Sequence, residues 1–172
     1  MEREKEKEEK KKKILLIEDD KAYLHMLHEK LCDEGYYVVM AGGTDAAKDW
    51  ALRKLSKLDM IISDQKMPGE EGSSFLAFLS ELEKTNPEKL DPTSELYQKI
   101  RKRFVNLADG EFKELIQNIA APSCIRVILS GYAEDEKTEE ALEKGHFHKF
   151  ISKKIGIADI LSTIRSLFEE AA

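Results

Sequence analysis

Cysteine is scarce in this chain of 172 residues. Cys32 and Cys124 are too few for a disulfide framework and lack the paired spacing of a metal site. They read as ordinary buried thiols of an intracellular protein. Four prolines, nine glycines and one tryptophan exclude collagen-like and Pro/Gly-rich low-complexity classes. No apolar run approaches the roughly 18–20 residues that span a bilayer. Met1 is followed by charges where a secretory leader would be apolar. A basic surplus is missing too: 28 Lys and Arg stand against 34 Asp and Glu, for a formal net charge of −6. The electrostatic footprint of a nucleic-acid binder is therefore lacking. A cytoplasmic domain that engages neither nucleic acid nor membrane is expected, and 41% hydrophobic residues suffice for one real core.

What is present falls into a rhythm. Met1 to Lys13 hold five acidic and seven basic side chains and no hydrophobe after Met1. Such a tract buries nothing, so 1–13 is expected to be a disordered or solvated tail, serving as an interaction arm or a solubilising leader. From Ile14 to about residue 170, short apolar runs alternate with amphipathic stretches. The runs are Ile14–Ile17, Tyr37–Met40, Met60–Ile62, Val127–Leu129 and Phe150–Ile151, and continuous runs of this kind suit strands buried on both faces. Helical stripes lie between them. Leu24, Leu27 and Leu31 form one, and Trp50, Leu52 and Leu55 a weaker one. Phe75, Phe78, Leu79 and Leu82 form a third, and Ile157, Ile160, Leu161, Ile164, Leu167 and Phe168 the last. The pattern predicts an α/β domain, doubly wound, with a five-stranded parallel sheet and helices on both faces.

One segment, about 85–123, breaks the rhythm between the third helix and the fourth strand. Asp91-Pro92 reads as an N-cap followed by proline at the first helical position. Leu96, Ile100, Phe104 and Leu107 follow at near-helical spacing. Asp109-Gly110 punctuates, and Phe112, Leu115, Ile116 and Ile119 resume the stripe before Pro122. The expectation is an inserted helical hairpin. It serves either as self-packed cover or, through Lys99, Arg101, Lys102 and Arg103, as a docking or dimer surface.

Chemistry in an open parallel sheet gathers at the carboxyl ends of the strands. The first apolar run ends in Glu18-Asp19-Asp20, the third in Ser63-Asp64, the fourth in Ser130-Gly131 and the fifth in Ser152-Lys153-Lys154. With the first and third strands adjacent, three carboxylates share one mouth. Their mutual repulsion calls for a cation, and a hard divalent ion such as Mg²⁺ is the natural one. A hydroxyl and an ammonium beside it make a clamp for phosphoryl oxygens. A carboxylate there can also be the nucleophile, giving an acyl phosphate.

This set resembles the response-regulator receiver domain of two-component signalling, the CheY-like family. The resemblance is carried by ILLIEDD (14–20), MIISDQKMPGEEG (60–72), VILSGYAE (127–134) and GHFHKFISKK (145–154). It implies a flavodoxin-like receiver fold and a phosphorelay function. Asp64 would be the phospho-acceptor. Glu18, Asp19, Asp64 and the backbone carbonyl of Lys66 would hold Mg²⁺, with Glu18 acting directly or through water. Ser130 and Lys153 would engage the phosphoryl oxygens. Ser130 and Phe150 would act as the switch pair, and Lys66 and Tyr132 would sit where lifetime is tuned. The donor would be a histidine kinase or phosphotransfer protein and the target an unknown downstream protein, with a homodimer also compatible. Such a protein acts on its own phosphorylation and dephosphorylation and is not a conventional enzyme.

The sequence departs from the family pattern at Lys153-Lys154, where Lys-Pro is usual. A cis bond before a non-proline costs about 3–4 kcal/mol, so a trans bond or a strained loop is expected. Lys153 is assigned to the site because that register keeps Phe150 inward. The pairs His25/His28 and His146/His148 read as surface or half-buried side chains. An alternative is a receiver-like binding module that works through the hairpin without phosphorylation. A phosphatase using an aspartyl phosphate would want a second acid two residues beyond Asp64, where Lys66 stands. The short stretch after Phe168 leaves open whether the receiver is stand-alone or excised from a longer protein.

Overall fold

The structure is a computed structural model, which describes residues 11–54, 58–84, 90–119 and 124–171. Outside the described residues lie most of the charged tail, Leu55, and both ends of the 85–123 segment, including Pro122. So do the side chains of Leu52, Arg103 and Ile119.

Five strands form one sheet. They are β1 (Lys13–Ile17), β2 (Tyr37–Ala41), β3 (Met60–Asp64), β4 (Ile125–Ser130) and β5 (Lys149–Ser152). Their order is β2-β1-β3-β4-β5, and every neighbouring pair is parallel. Successive side chains point to opposite faces, so β1 sends Leu15 and Ile17 to one core and Ile14 and Leu16 to the other. That double burial is why the runs are continuous rather than alternating. β2 is different: Tyr37 and Met40 are 41% and 39% exposed. It is an edge strand, so its apolar run is not buried on both faces as expected.

The helices divide between the two faces. On one face, α1 (Lys21–Asp33) packs Leu24, Leu27 and Leu31, and α7 (Ile157–Glu170) packs Ile160 and Ile164. The other face takes α2 (Thr44–Lys54), α3 (Gly72–Lys84), α4 (Glu95–Arg103), α5 (Asp109–Ile119) and α6 (Glu136–Glu143). Ala47, Phe75, Leu79, Ile100, Phe104, Phe112 and Ile116 are buried together there.

Segment 90–119 holds two helices, but their ends differ from expectation. Asp91 closes a turn by accepting from the Thr93 amide at 2.7 Å. The N-cap is Ser94, which accepts from the Tyr97 amide at 3.2 Å. An Asx turn competed with the cap at Asp91 and won. Asp109-Gly110 does not interrupt the helical run: both residues open α5, and the break lies at residues 104–108. α4 and α5 meet through Tyr97 and Phe112, whose rings stand edge to face with centroids 5.3 Å apart. Arg101 lies 4.7 Å over the Phe112 ring and donates to the Leu107 carbonyl and to Asp109.

Helix α6 has no apolar stripe, and the periodicity missed it. It starts at Asp135, which accepts from the Thr138 amide and hydroxyl. Cys124 is buried but Cys32 is exposed, so only one of the two thiols belongs to the core. His148 accepts from the Arg126 amide at 2.9 Å. Among the described residues, no helix is long and apolar enough to cross a membrane.

Candidate functional site

Strand register sets the site. Ile17 pairs with Ser63, Asp64 with Leu129 and Ser130 with Ser152. The residues that close or follow β1, β3, β4 and β5 therefore line one edge, and these are Glu18, Asp64, Ser130 and Lys153. Glu18 is 3% exposed and Asp64 7%. Carboxylate oxygens of Glu18, Asp19 and Asp64 lie within 4.8 Å of one another. Lys153 Nζ lies between two of them, 2.5 Å from Glu18 Oε2 and 2.8 Å from Asp64 Oδ1. The Lys153–Lys154 peptide is trans, within a single 3₁₀ turn at Lys153–Ile155. Ser152 caps that turn by accepting from the Lys154 amide at 3.2 Å.

The charges respond to this crowding. Burial pushes the Glu18 carboxyl up, and the hydrogen bond from Lys153 offsets only part of the rise. Burial alone would lower Lys153, yet its hydrogen bonds to Asp64 and Glu18 more than compensate and hold it above its ordinary value. The two directions agree physically: Lys153 gains two carboxylates, whereas Glu18 gains one cation and a like-charged neighbour. Three carboxylates against one ammonium leave a surplus of negative charge on hard oxygen donors, which fits a divalent cation such as Mg²⁺. Both Glu18 oxygens already have partners, Lys153 and the Asp20 amide at 3.3 Å. Asp19 is exposed, so Asp19 and Asp64 are the open donors.

Ser130 is buried, and its hydroxyl accepts from the Tyr132 amide at 3.1 Å. Phe150 is half-buried against the α2–α6 face, and Tyr132 is 65% exposed. Lys66 pairs with Glu71, 2.5 Å distant. A cavity of about 630 Å³ between α3 and α4 shares none of these residues.

Sequence reasoning missed the residues that hold the loop after Asp64. Gln65 is buried, and its amide group exchanges two hydrogen bonds with Ser73, both 3.0 Å. Gly72 donates to the Gln65 carbonyl at 3.0 Å. A Cβ at Gly72 would stand 2.1 Å from the Asp64 carbonyl oxygen, so only glycine lets α3 start this close to β3. Buried Lys48 on α2 pairs with Glu70 of the same loop. Asp20, the last acid of the Glu18-Asp19-Asp20 run, is the N-cap of α1 and accepts from the Ala22 and Tyr23 amides. The Glu-Asp-Asp run signalled acidity at a strand end; that its third member would cap a helix depended on where α1 began.

A doubly wound parallel sheet with a three-carboxylate pocket and a lysine at its carboxyl edge defines the flavodoxin-like receiver class of α/β protein. Residues 14–89 match the response regulator receiver domain family, and no curated protein matches the chain. Solved structures agree on the fold. A CheY-like receiver domain protein from Methanospirillum hungatei is 19% identical, with 93% of this chain and 95% of that one covered and a TM-score of 0.61. A receiver domain protein from Clostridium thermocellum gives 18%, 93%, 96% and 0.61. The chemotaxis protein CheY4 of Vibrio cholerae gives 18%, 91%, 98% and 0.58. The fold is thus that of receiver domains, and residues 14–89 are similar to the response regulator receiver domain family.

Proposed function

We propose that this receiver is a phospho-acceptor in a phosphorelay, taking a phosphoryl group on Asp64 from a phosphohistidine of a kinase or phosphotransfer protein. The observation that carries the reading is the Lys153 ammonium, 2.8 Å from Asp64 Oδ1 and shared with Glu18 beside a divalent-cation donor set. An Asp64 oxygen attacks phosphorus in line, the bond to the histidine nitrogen breaks, and the leaving imidazole takes a proton. Lys153 shifts its hydrogen bonds towards the equatorial oxygens as charge gathers there. The Ser130 hydroxyl, one residue beyond the Asp64 partner on β4, is placed to donate to the same oxygens. Asp19 and Asp64 would hold Mg²⁺ directly with Glu18 behind them, and the ion would neutralise charge on the phosphoryl group. Hydrolysis of the acyl phosphate resets the domain. Phosphorylation would bias a two-state surface read by a downstream protein, with Ser130 and Phe150 as the moving pair. The chain thus acts on its own modification and is not a conventional enzyme.

The test is an intact-mass spectrum after incubation with Mg²⁺ and acetyl phosphate, with Asp64→Ala and a chelator alongside. One added phosphoryl group, labile to hydroxylamine and lost in both controls, is expected. No adduct at saturating donor would favour a module that signals without phosphorylation.

A further inference from the structure

The first turn of α1 brings to the pocket a residue that the chemistry above does not use. Asp20 accepts from the Ala22 and Tyr23 amides at 2.9 and 3.1 Å, which fixes Tyr23 one turn beyond Glu18-Asp19. The Lys153 ammonium sits over the Tyr23 ring, 4.5 Å from its centroid. The Tyr23 hydroxyl is buried and has no hydrogen-bond partner among the described residues, so it is the ring that meets the site. An ammonium has three N–H donors. On Lys153 two point to Glu18 and Asp64, and the aromatic face meets the remaining side of the cation.

We infer that Tyr23 is a positioning residue for Lys153, its ring holding the ammonium at Asp64 while a phosphoryl group arrives and leaves. The inference rests on the phospho-acceptor reading. A lysine stem is long and flexible, and the Lys153 side chain is 17% exposed. As its bonds to Glu18 and Asp64 loosen, nothing in those bonds keeps it from turning to water. A ring face attracts a cation over a broad area, so the ammonium can slide from carboxylate to phosphoryl oxygen without leaving it. The ring is also neutral. A third carboxylate in its place would hold the lysine as well, but would cancel the charge needed at the phosphoryl group.

The test uses the full chain with acetyl phosphate and Mg²⁺, comparing Tyr23→Leu with Tyr23→Phe. The NMR signals of the Lys153 side chain should show an upfield ring-current shift in the wild type. Tyr23→Leu should lose that shift and slow phosphoryl uptake roughly five- to tenfold, with a melting temperature close to wild type. Tyr23→Phe, which keeps the ring, should rescue both. In a Lys153→Ala background Tyr23→Leu should cause no further slowing. An unchanged rate in Tyr23→Leu, or equal slowing with and without Lys153, would overturn the inference. So would a Phe variant as slow as the Leu variant, which would assign the effect to the hydroxyl. A wild-type chain that accepts no phosphoryl group would overturn the functional reading, while the ring-current shift would still judge the Tyr23–Lys153 contact.

Discussion

Removing the Lys153 ammonium leaves Glu18 and Asp64 facing each other with no cation between them. Losing one partner of a buried ion pair costs about 3 kcal/mol, so Lys153→Ala should melt lower in chelator. The same change deepens the negative potential, so Mg²⁺ should bind about tenfold tighter and recover much of the lost stability by mass action. Calorimetric titration with Mg²⁺ and melts with and without the ion check both, while phosphoryl uptake falls. His148 offers a pH prediction. Burial of its ring and the nearby Arg126 cation hold its pKa below the usual 6.5. A histidine depressed in the folded state stabilises fully above its unfolded pKa, and that contribution is lost as pH falls through the folded value. Protonation would also turn Nδ1 from acceptor to donor against the Arg126 amide. Asparagine can accept from that amide without titrating. Urea unfolding from pH about 7 to 5 should therefore show a shallower acid loss in His148→Asn than in the wild type.

At the scale of elements, the join between β3 and α3 controls where Asp64 sits. Gly72→Ala places a methyl group 2.1 Å from the Asp64 carbonyl oxygen and 2.7 Å from Ser63 Oγ. Backbone cannot yield cheaply in a packed interior, so a loss of about 3 kcal/mol is expected, with slower phosphoryl uptake because Asp64 moves. Gly110→Ala in the first turn of α5 is the control. Nothing lies within 4 Å of the added carbon, and urea midpoints should be unchanged or slightly higher. The Gln65–Ser73 hydrogen bonds belong to the same join, tying the first residue after Asp64 to the second residue of α3.

The whole molecule unfolds as one unit if its faces share a core. Phe112 on α5 is buried in the cluster that contains Phe75, Leu76 and Ala47, with Trp50 packed against it. Phe112→Ala should therefore cost about 3–4 kcal/mol, and Trp50 fluorescence and far-UV circular dichroism should fall together in one transition. Two separate transitions would mean that α4 and α5 stand apart from the sheet. Their burial also uses up the apolar stripe that a docking surface would need. Ile100 and Phe104 face the core, and Arg101 and Lys99 are engaged with Asp109 and Glu95.

The sequence by itself determined the strands and most of the helices, because burial on two faces forces continuous Ile, Leu and Val runs and burial on one face forces a helical stripe. It also marked the pocket residues, since acids, a hydroxyl and a lysine directly after apolar runs must meet at one sheet edge. Helix α6 was illegible because its one buried position is Thr138 and a charged helix carries no stripe. The start of α4 was illegible because Asp91 and Ser94 both suit a cap, and only the packed chain chooses between them. The exposure of Tyr37 and Met40 depended on β2 being at an edge, a property of strand order that no single strand records. Lys153 was legible from the strand register, but that Tyr23 lies beneath it was decided by tertiary structure alone. Such contacts join residues more than a hundred positions apart, and only the register of the sheet brings them together.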